Sequence, residues 1–489
     1  MSEQESKKQI LKSTGILGSA QLVIILIGIV RVKVLAILLG ASGVGIAGLY
    51  QSTVDIIKSA TGLGIGYSAV RNIAADVASG DEKKISTTAA VLKRWVWATG
   101  LLGMIVSIVF SRQLSQMAFG NTSHSDGIRL LSLTLLLAAI SSGQLALLQG
   151  FRRIGDIAKA NVFSSLIGLI SAIFIYYYWG VKGIVPALLV SYILSLFLSW
   201  FYARKIKIKK ADINLLQVFD KGKSMVKLGV FLSITTFAST AVMYIVRSFI
   251  MMEGGVDSVG YFVAAWTISS MYISAIFGAM GSDFFPRLSS IQHSPDAVTT
   301  LVNEQTEVAL LITAPIIIGM VSFIDLVVTI FYTKDFGTTA DILDWQLMGD
   351  FFKVLAWPMG FIMLAKGKGK LFIVTELSWN LFFLAGVYVG WGFFDIQVTG
   401  IAFLASYVLY VFVVYAVARK LVQFEWSNKV KNLIMTFLPL LILAFLGVKY
   451  LSQPLQYITG ALLTAVAVGL SYKHLKKLVN FQSILKRFG

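Results

Sequence analysis

A few side chains stand out because they place charge or a strong dipole inside long apolar runs: Gln51, Asp55 and Lys58; Gln346, Asp350 and Lys353; and Arg31, Arg247 and Glu376. A charge at mid-bilayer costs about 2.5–3.5 kcal/mol on insertion scales, so such residues face protein or water and mark candidate sites. At about 100° per residue, Gln51, Asp55 and Lys58 share one helical arc, which Ser59, Gly62 and Gly66 extend. Two readings stand: a self-satisfying Asp55–Lys58 pair packed between helices, or a stripe lining a water-filled cavity. Gln346, Asp350 and Lys353 repeat the spacing, with Trp357 next on that face. Arg247 shares a polar arc with Ser233, Thr236, Thr240 and Tyr244, and Arg31 a mixed one with Gln21 and Gly28. Both arginines face a cavity or snorkel toward headgroups. Glu376, beside Trp379 and Asn380, reads as a proton or sodium site or as a partner for Lys353 or Lys366. Asp283 and Arg287 mark the membrane interface or a gate.

Taken together, four cations (Arg31, Lys58, Arg247, Lys353) outweigh three carboxylates (Asp55, Asp350, Glu376). That balance suits an anion, and the arginine fork fits phosphate oxygens. Gln51, Gln346 and Trp357 add groups able to contact sugars, and the carboxylates are candidates for ion coupling. There is no cysteine, and His124, His293 and His474 are far apart, so no metal centre or cofactor is expected.

These residues must be held by membrane helices. The chain has 489 residues, 57% hydrophobic and 13% charged, against roughly 25% charged in soluble domains. A crossing needs roughly 20 apolar residues, and fourteen such stretches lie between residues 13 and 472. The first reads as a retained helix and not a cleaved leader. The net charge of +18 could suggest nucleic acid, but the cations are spread over many short loops. Of 42 Lys and Arg, 32 fall on one side, five on the other (Arg112, Arg129, Lys182, Lys334, Lys449) and five within spans. By the positive-inside rule both termini are cytoplasmic.

The pattern also repeats. Ile29-Val30-Arg31 returns as Ile245-Val246-Arg247, Val44-Gly45 as Val259-Gly260, and Phe119-Gly120 as Phe336-Gly337, at offsets of 215 to 217 residues. An even number of spans per copy predicts two parallel six-helix lobes with a site at their interface. The lobes would cover 1–203 and 228–422, joined by a basic cytoplasmic linker, 204–227. Two further helices and a basic tail would fill 423–489.

The turn Leu39-Gly40-Ala-Ser-Gly43-Val-Gly45, Phe119-Gly120-Asn121 with Arg129, Gly150-Phe151-Arg152, and Trp345-Gln346-Leu-Met-Gly349-Asp350-Phe-Phe-Lys353 carry a family likeness. In these and their order the chain resembles the polysaccharide transporters of the MOP superfamily, above all the Wzx flippases of O-antigen and enterobacterial common antigen units. The resemblance implies two six-helix bundles working by alternating access in the bacterial inner membrane. It also implies an undecaprenyl-diphosphate-linked oligosaccharide as cargo for lipopolysaccharide and related polysaccharide biosynthesis. Arg31, Arg247 and Lys353 would be its anion contacts, and a polymerase and glycosyltransferases its partners. The two extra helices depart from twelve-helix relatives and keep a peptidoglycan-precursor flippase in view. A drug or cation exporter of the same superfamily would want a net acidic cavity. An enzyme would want a large catalytic outer loop, whereas the longest here runs roughly from Ser111 to Arg129.

Overall fold

The computed structural model describes residues 3–209, 211 and 213–478, and among these there is no strand. The helices are α1 (Glu3–Thr61), α2 (Ile65–Ser79), α3 (Glu82–Val109), α4 (Ser111–Phe119), α5 (Ser125–Gly150), α6 (Ile154–Trp179), α7 (Ile184–Ala203), α8 (Leu215–Ser290), α9 (Pro295–Ser322), α10 (Ile324–Phe331), α11 (Gly337–Ala365), α12 (Gly369–Phe394), α13 (Val398–Val422), α14 (Asn428–Tyr450) and α15 (Leu455–Leu478). The chain is thus an all-α, multi-pass membrane protein, as its apolar periodicity predicts. The far end of the expected basic tail lies outside the described residues.

Ten described segments are long and apolar enough to cross a bilayer. Four of them run 44 to 54 residues, about twice what one crossing takes, and each contains a break. Gly40 (φ 65°, ψ −166°) interrupts α1 and Gly255 (φ 76°, ψ −179°) interrupts α8. The 3-10 turns Gly180–Gly183 and Asp395–Gln397 divide the other two. A glycine suits both kinks because a Cβ at positive φ is strained. At Gly40 the chain turns back on itself: Arg31 before it reaches Ser191, and Gln51 after it reaches Tyr192, the next residue along α7.

The structure sharpens the internal repeat. Positive φ recurs 215 residues apart at Gly40 and Gly255, Arg152 and Gly367, and Gly180 and Asp395. Helices α3 and α9 each have 28 residues, and α6 and α12 each have 26. Asp81 caps α3 and Ser294 caps α9, each side-chain oxygen accepting from a first-turn backbone N–H. The amide of Lys84 in particular holds the Asp81 carboxyl below its ordinary range.

By packing, the chain divides into two compact units, Met1–Gly260 and Tyr261–Gly489. In the first, α3 packs on α5 and α6 on α7, while the first half of α8 joins them. Met225 enters the core formed by Ile65, Ile73, Val91 and Val96, and Trp95 Nε1 donates to the Val218 carbonyl at 3.2 Å. In the second unit α11 packs chiefly on α13, and α14 and α15 lie on α9. Close approach there depends on glycine: a Cβ on Gly460 would press on Ser322 at 2.7 Å. At the end of α14, Lys449 Nζ pairs with Asp344 at 2.8 Å and Asp341 at 3.3 Å.

Candidate functional site

Two of the helix faces singled out by their polarity converge in the first unit on a cavity of about 800 Å³. The 41–61 half of α1 contributes Asp55, Lys58 and Ser59, and α8 contributes Ser233, Thr236, Ser239, Thr240 and Arg247. Gly62, Gly64, Gly66 and Gly100 also lie in the wall, and Gly64 touches Gly229 backbone to backbone. No side chain fits between those two chains, so this part of the wall is closed by main chain alone.

Arg247 dominates the electrostatics. Its Nη1 donates to the Gly48 carbonyl at a long 3.4 Å, and its Nε is buried with no partner among the described residues. An ionised donor left unpaired is costly unless a ligand completes it. Asp55 is near enough to attract Arg247, yet Asp55 is held by Gln51 Nε2 at 3.0 Å. Lys58 is exposed and lines the same space. Asp55 and Lys58 of the stripe therefore border a cavity, while Gln51 ties Asp55 to its own helix. Two arginines and one amide donate at one level along the helices. Gln51 Nε2 also donates to Tyr192 Oη at 3.2 Å, Arg31 Nη2 to Ser191 Oγ at 3.4 Å, and Arg247 meets Gly48 three residues before Gln51. Arg31 itself lies behind the wall, against Tyr176 and Tyr192.

Several lining residues carried no signal in the sequence. Ser141, Ser142 and Gln149 of α5 and Tyr192 and Ser195 of α7 complete the wall. Ser141 Oγ lies 3.1 Å from the hydroxyls of both Ser195 and Ser199, and Ser199 donates to Gln144 at 2.6 Å. Scattered serines in an apolar helix look unremarkable until neighbouring helices align them. The cavity is thus a hydroxyl-rich slot with one arginine and one lysine opposite one carboxylate.

The second stripe, identical in spacing, has a different setting in the second unit. Asp350 is fully buried, its Oδ2 accepting from Tyr272 at 2.6 Å and Ser269 at 2.8 Å. Lys353 Nζ lies 3.9 Å from Asp350 Oδ1 and 5.5 Å from the Tyr407 ring centre. Glu376 accepts from Tyr410 and is the second carboxylate that Lys353 feels. Gln346 is fully buried, and neither of its amide atoms has a partner among the described residues. Trp357 stacks on Phe277 at 4.5 Å and packs edge-on to Phe361. Asp283 and Arg287 form an exposed one-turn ion pair at 3.3 Å. Gln346, Asp350, Lys353, Trp357 and Glu376 therefore sit among their own unit's helices, apart from the walls of the 1–260 cavity. No group of three or more metal-ligating side chains occurs among the described residues.

Residues 34–341 match the model of a family described as polysaccharide biosynthesis protein. The lipid III flippase of Escherichia coli (strain K12) is 25% identical over 398 residues, 78% of this chain and 92% of that one. A protein of Shigella flexneri named as an O-antigen transporter is 25% identical over 373 residues, 74% and 86% of the two chains. Among solved structures, the lipid II flippase MurJ in an inward closed conformation superposes with a TM-score of 0.70 at 13% identity, over 95% of this chain and 99% of that one.

Proposed function

Because the chain belongs to the polysaccharide biosynthesis protein family, we propose that it is a flippase that moves a lipid-diphosphate-linked oligosaccharide from the inner to the outer leaflet. The observation that carries this reading is Arg247, a half-buried arginine on the wall of an 800 Å³ slot whose buried Nε has no partner among the described residues. The relatives named for lipid III and O-antigen transport support the same cargo class.

In this reading Arg247 and Lys58 take the diphosphate oxygens, with Arg31 behind the wall adding positive potential at the same level. Asp55 tempers the charge, so the anion is held without being trapped. Gln51, Tyr192 and the serine and threonine rows offer the exchangeable donors and acceptors that sugar hydroxyls require. The lipid tail stays in the bilayer. An undecaprenyl carrier, an O-antigen or similar repeat unit, and alternating access of two six-helix bundles complete the proposal. Fourteen crossings follow if each of the four long segments crosses twice. The 32 one-sided cations support cytoplasmic termini in a bacterial inner membrane. The protein acts as a transporter without bond chemistry, supplied by glycosyltransferases and feeding a polymerase.

Translocation is coupled to an ion, a proton or sodium, at Asp350 and Glu376 on either side of Lys353, with Asp55 as a further candidate. Two buried carboxylates around one ammonium leave one negative charge to be met. Gln346, Lys353 and Trp357 then act in the second unit's half of the cycle, and the Asp283–Arg287 pair as a gate. The deciding test is transport by the Arg31→Ala, Arg247→Ala double variant. Loss of translocation with normal folding is expected; unchanged translocation would sink the anion site. Competition between lipid-linked glycans and a peptidoglycan precursor separates the two cargoes.

A further inference from the structure

One titratable group outside the cavity is joined to its wall. His124 ends the loop between α4 and α5, a loop that its own polar groups make rigid. Ser115 Oγ donates to the Asn121 carbonyl at 2.6 Å, Asn121 Nδ2 to the Phe119 carbonyl at 3.0 Å, and Ser123 N to Asn121 Oδ1 at 3.0 Å. The imidazole stacks on Phe119 at 3.9 Å and 14°. Its Nδ1 lies 3.0 Å from Tyr50 Oη, the one hydrogen bond of that hydroxyl among the described residues.

Tyr50 is only 6% exposed and occupies a fitted slot. Its ring tilts against Phe119 at 4.9 Å, and Gly127 presses on it so closely that a Cβ there would overlap the hydroxyl. Two residues before it, the Gly48 carbonyl accepts from Arg247, and the residue after it, Gln51, holds Asp55 and Tyr192. The imidazole is therefore linked through one phenol to the turns of α1 that build the anion end of the cavity.

We propose that His124 is a proton-responsive positioning residue that, through Tyr50, sets the placement of residues 48–55 and so the grip on the anion at Arg247. The proposal rests on reading the cavity as the transport site. With its proton on Nε2, neutral imidazole accepts a hydrogen bond from the Tyr50 hydroxyl at Nδ1, whereas imidazolium has two donors and no acceptor. Protonation thus reverses the bond: Nδ1–H donates to Tyr50 Oη, and the phenolic hydrogen has to turn away from its one partner. Gly127 and Phe119 crowd that side chain and no second acceptor is in reach among the described residues, so the turned O–H is left unsatisfied and the cost falls on the helix that carries it. The groups around His124 do not substitute for this exchange. Asp126 and Arg129 on α5 pair with each other at 2.7 Å, α1 presents Tyr50, and α4 presents the uncharged Phe119. Partial burial holds the imidazole below its ordinary value of 6.5, so the matched pair persists to mildly acid pH.

The test uses the full-length protein in liposomes containing a labelled lipid-linked oligosaccharide. The pH is varied between about 5 and 8 on each side independently. The expected result is a change in flux of about five-fold or more across a midpoint below 6.5, produced only from the side facing His124. His124→Gln, which keeps a polar side chain but does not titrate there, should flatten the profile while preserving flux at neutral pH. Tyr50→Phe should flatten it too. A profile unchanged in His124→Gln, or a flat wild-type profile, overturns the proposal. Hydrogen exchange of residues 48–55, corrected for intrinsic rates, is the second readout: protection should fall with acidification in the wild type but not in His124→Gln. If that difference is present and no lipid moves, the flippase reading fails and the switch stands. If it is absent while lipid moves, the switch fails alone.

Discussion

Replacing Arg247 with alanine removes the arginine that lines the cavity, and the size of the effect follows from its contacts. The Gly48 bond is long at 3.4 Å and Nε has no partner among the described residues, so the folded protein loses little, under about 1 kcal/mol. Asp55 keeps its bond to Gln51 and the field of Lys58. A bound diphosphate loses a charge-assisted bond worth about 1.5–3 kcal/mol, or about ten- to a hundred-fold in apparent affinity. Arg247→Lys keeps the charge but not the planar fork, and should fall between wild type and alanine. The assay is initial translocation rate against concentration of lipid-linked oligosaccharide in proteoliposomes, with thermal unfolding measured in parallel. An alanine variant with wild-type affinity would refute the anion site. A variant that unfolds many degrees lower would refute the reasoning that Arg247 is held for function and not for the fold.

Two further outcomes test the framework around the site. Asp344 is almost wholly buried and relies on Lys449, so Lys449→Ala leaves an unpaired carboxylate and should cost about 3–5 kcal/mol in unfolding experiments. Adding Asp344→Asn should recover most of that loss. Arg152 holds φ 55° where its repeat counterpart is Gly367 at φ 68°. Arg152→Gly should therefore raise the unfolding temperature slightly, and Gly367→Arg should cost about 1–2 kcal/mol.

Residues that violate their surroundings were legible from the amino-acid sequence, and those that agree with them were not. Arg247 and Asp55 are conspicuous because nothing else in an apolar helix accounts for their cost, and both line the cavity. Gly45 and Gly260 were legible as repeated landmarks, whereas the left-handed kinks five residues before each, at Gly40 and Gly255, needed the structure. Ser141, Ser195 and Tyr192 were invisible because an uncharged hydroxyl in an apolar helix carries no evident cost, and its partners lie on other helices. The two Gln–Asp–Lys stripes mark the limit most clearly, since the same spacing yields a cavity wall on α1 and a sealed cluster on α11. What separates them is the neighbour: Ser269 and Tyr272 close over Asp350, whereas Asp55, hydrogen-bonded to its own helix's Gln51, lines open space with Arg247 and Lys58. Periodicity selects a helix face, but it does not say what stands opposite.

The most direct measurement of the central claim is whether the purified protein alone, in liposomes, carries a labelled undecaprenyl-diphosphate oligosaccharide from one leaflet to the other. If the protein is such a flippase, translocation saturates with substrate, needs no partner enzyme, and is lost in the Arg31→Ala, Arg247→Ala double variant. Folded protein that moves no such lipid, or a double variant that moves it as fast as wild type, would contradict that claim.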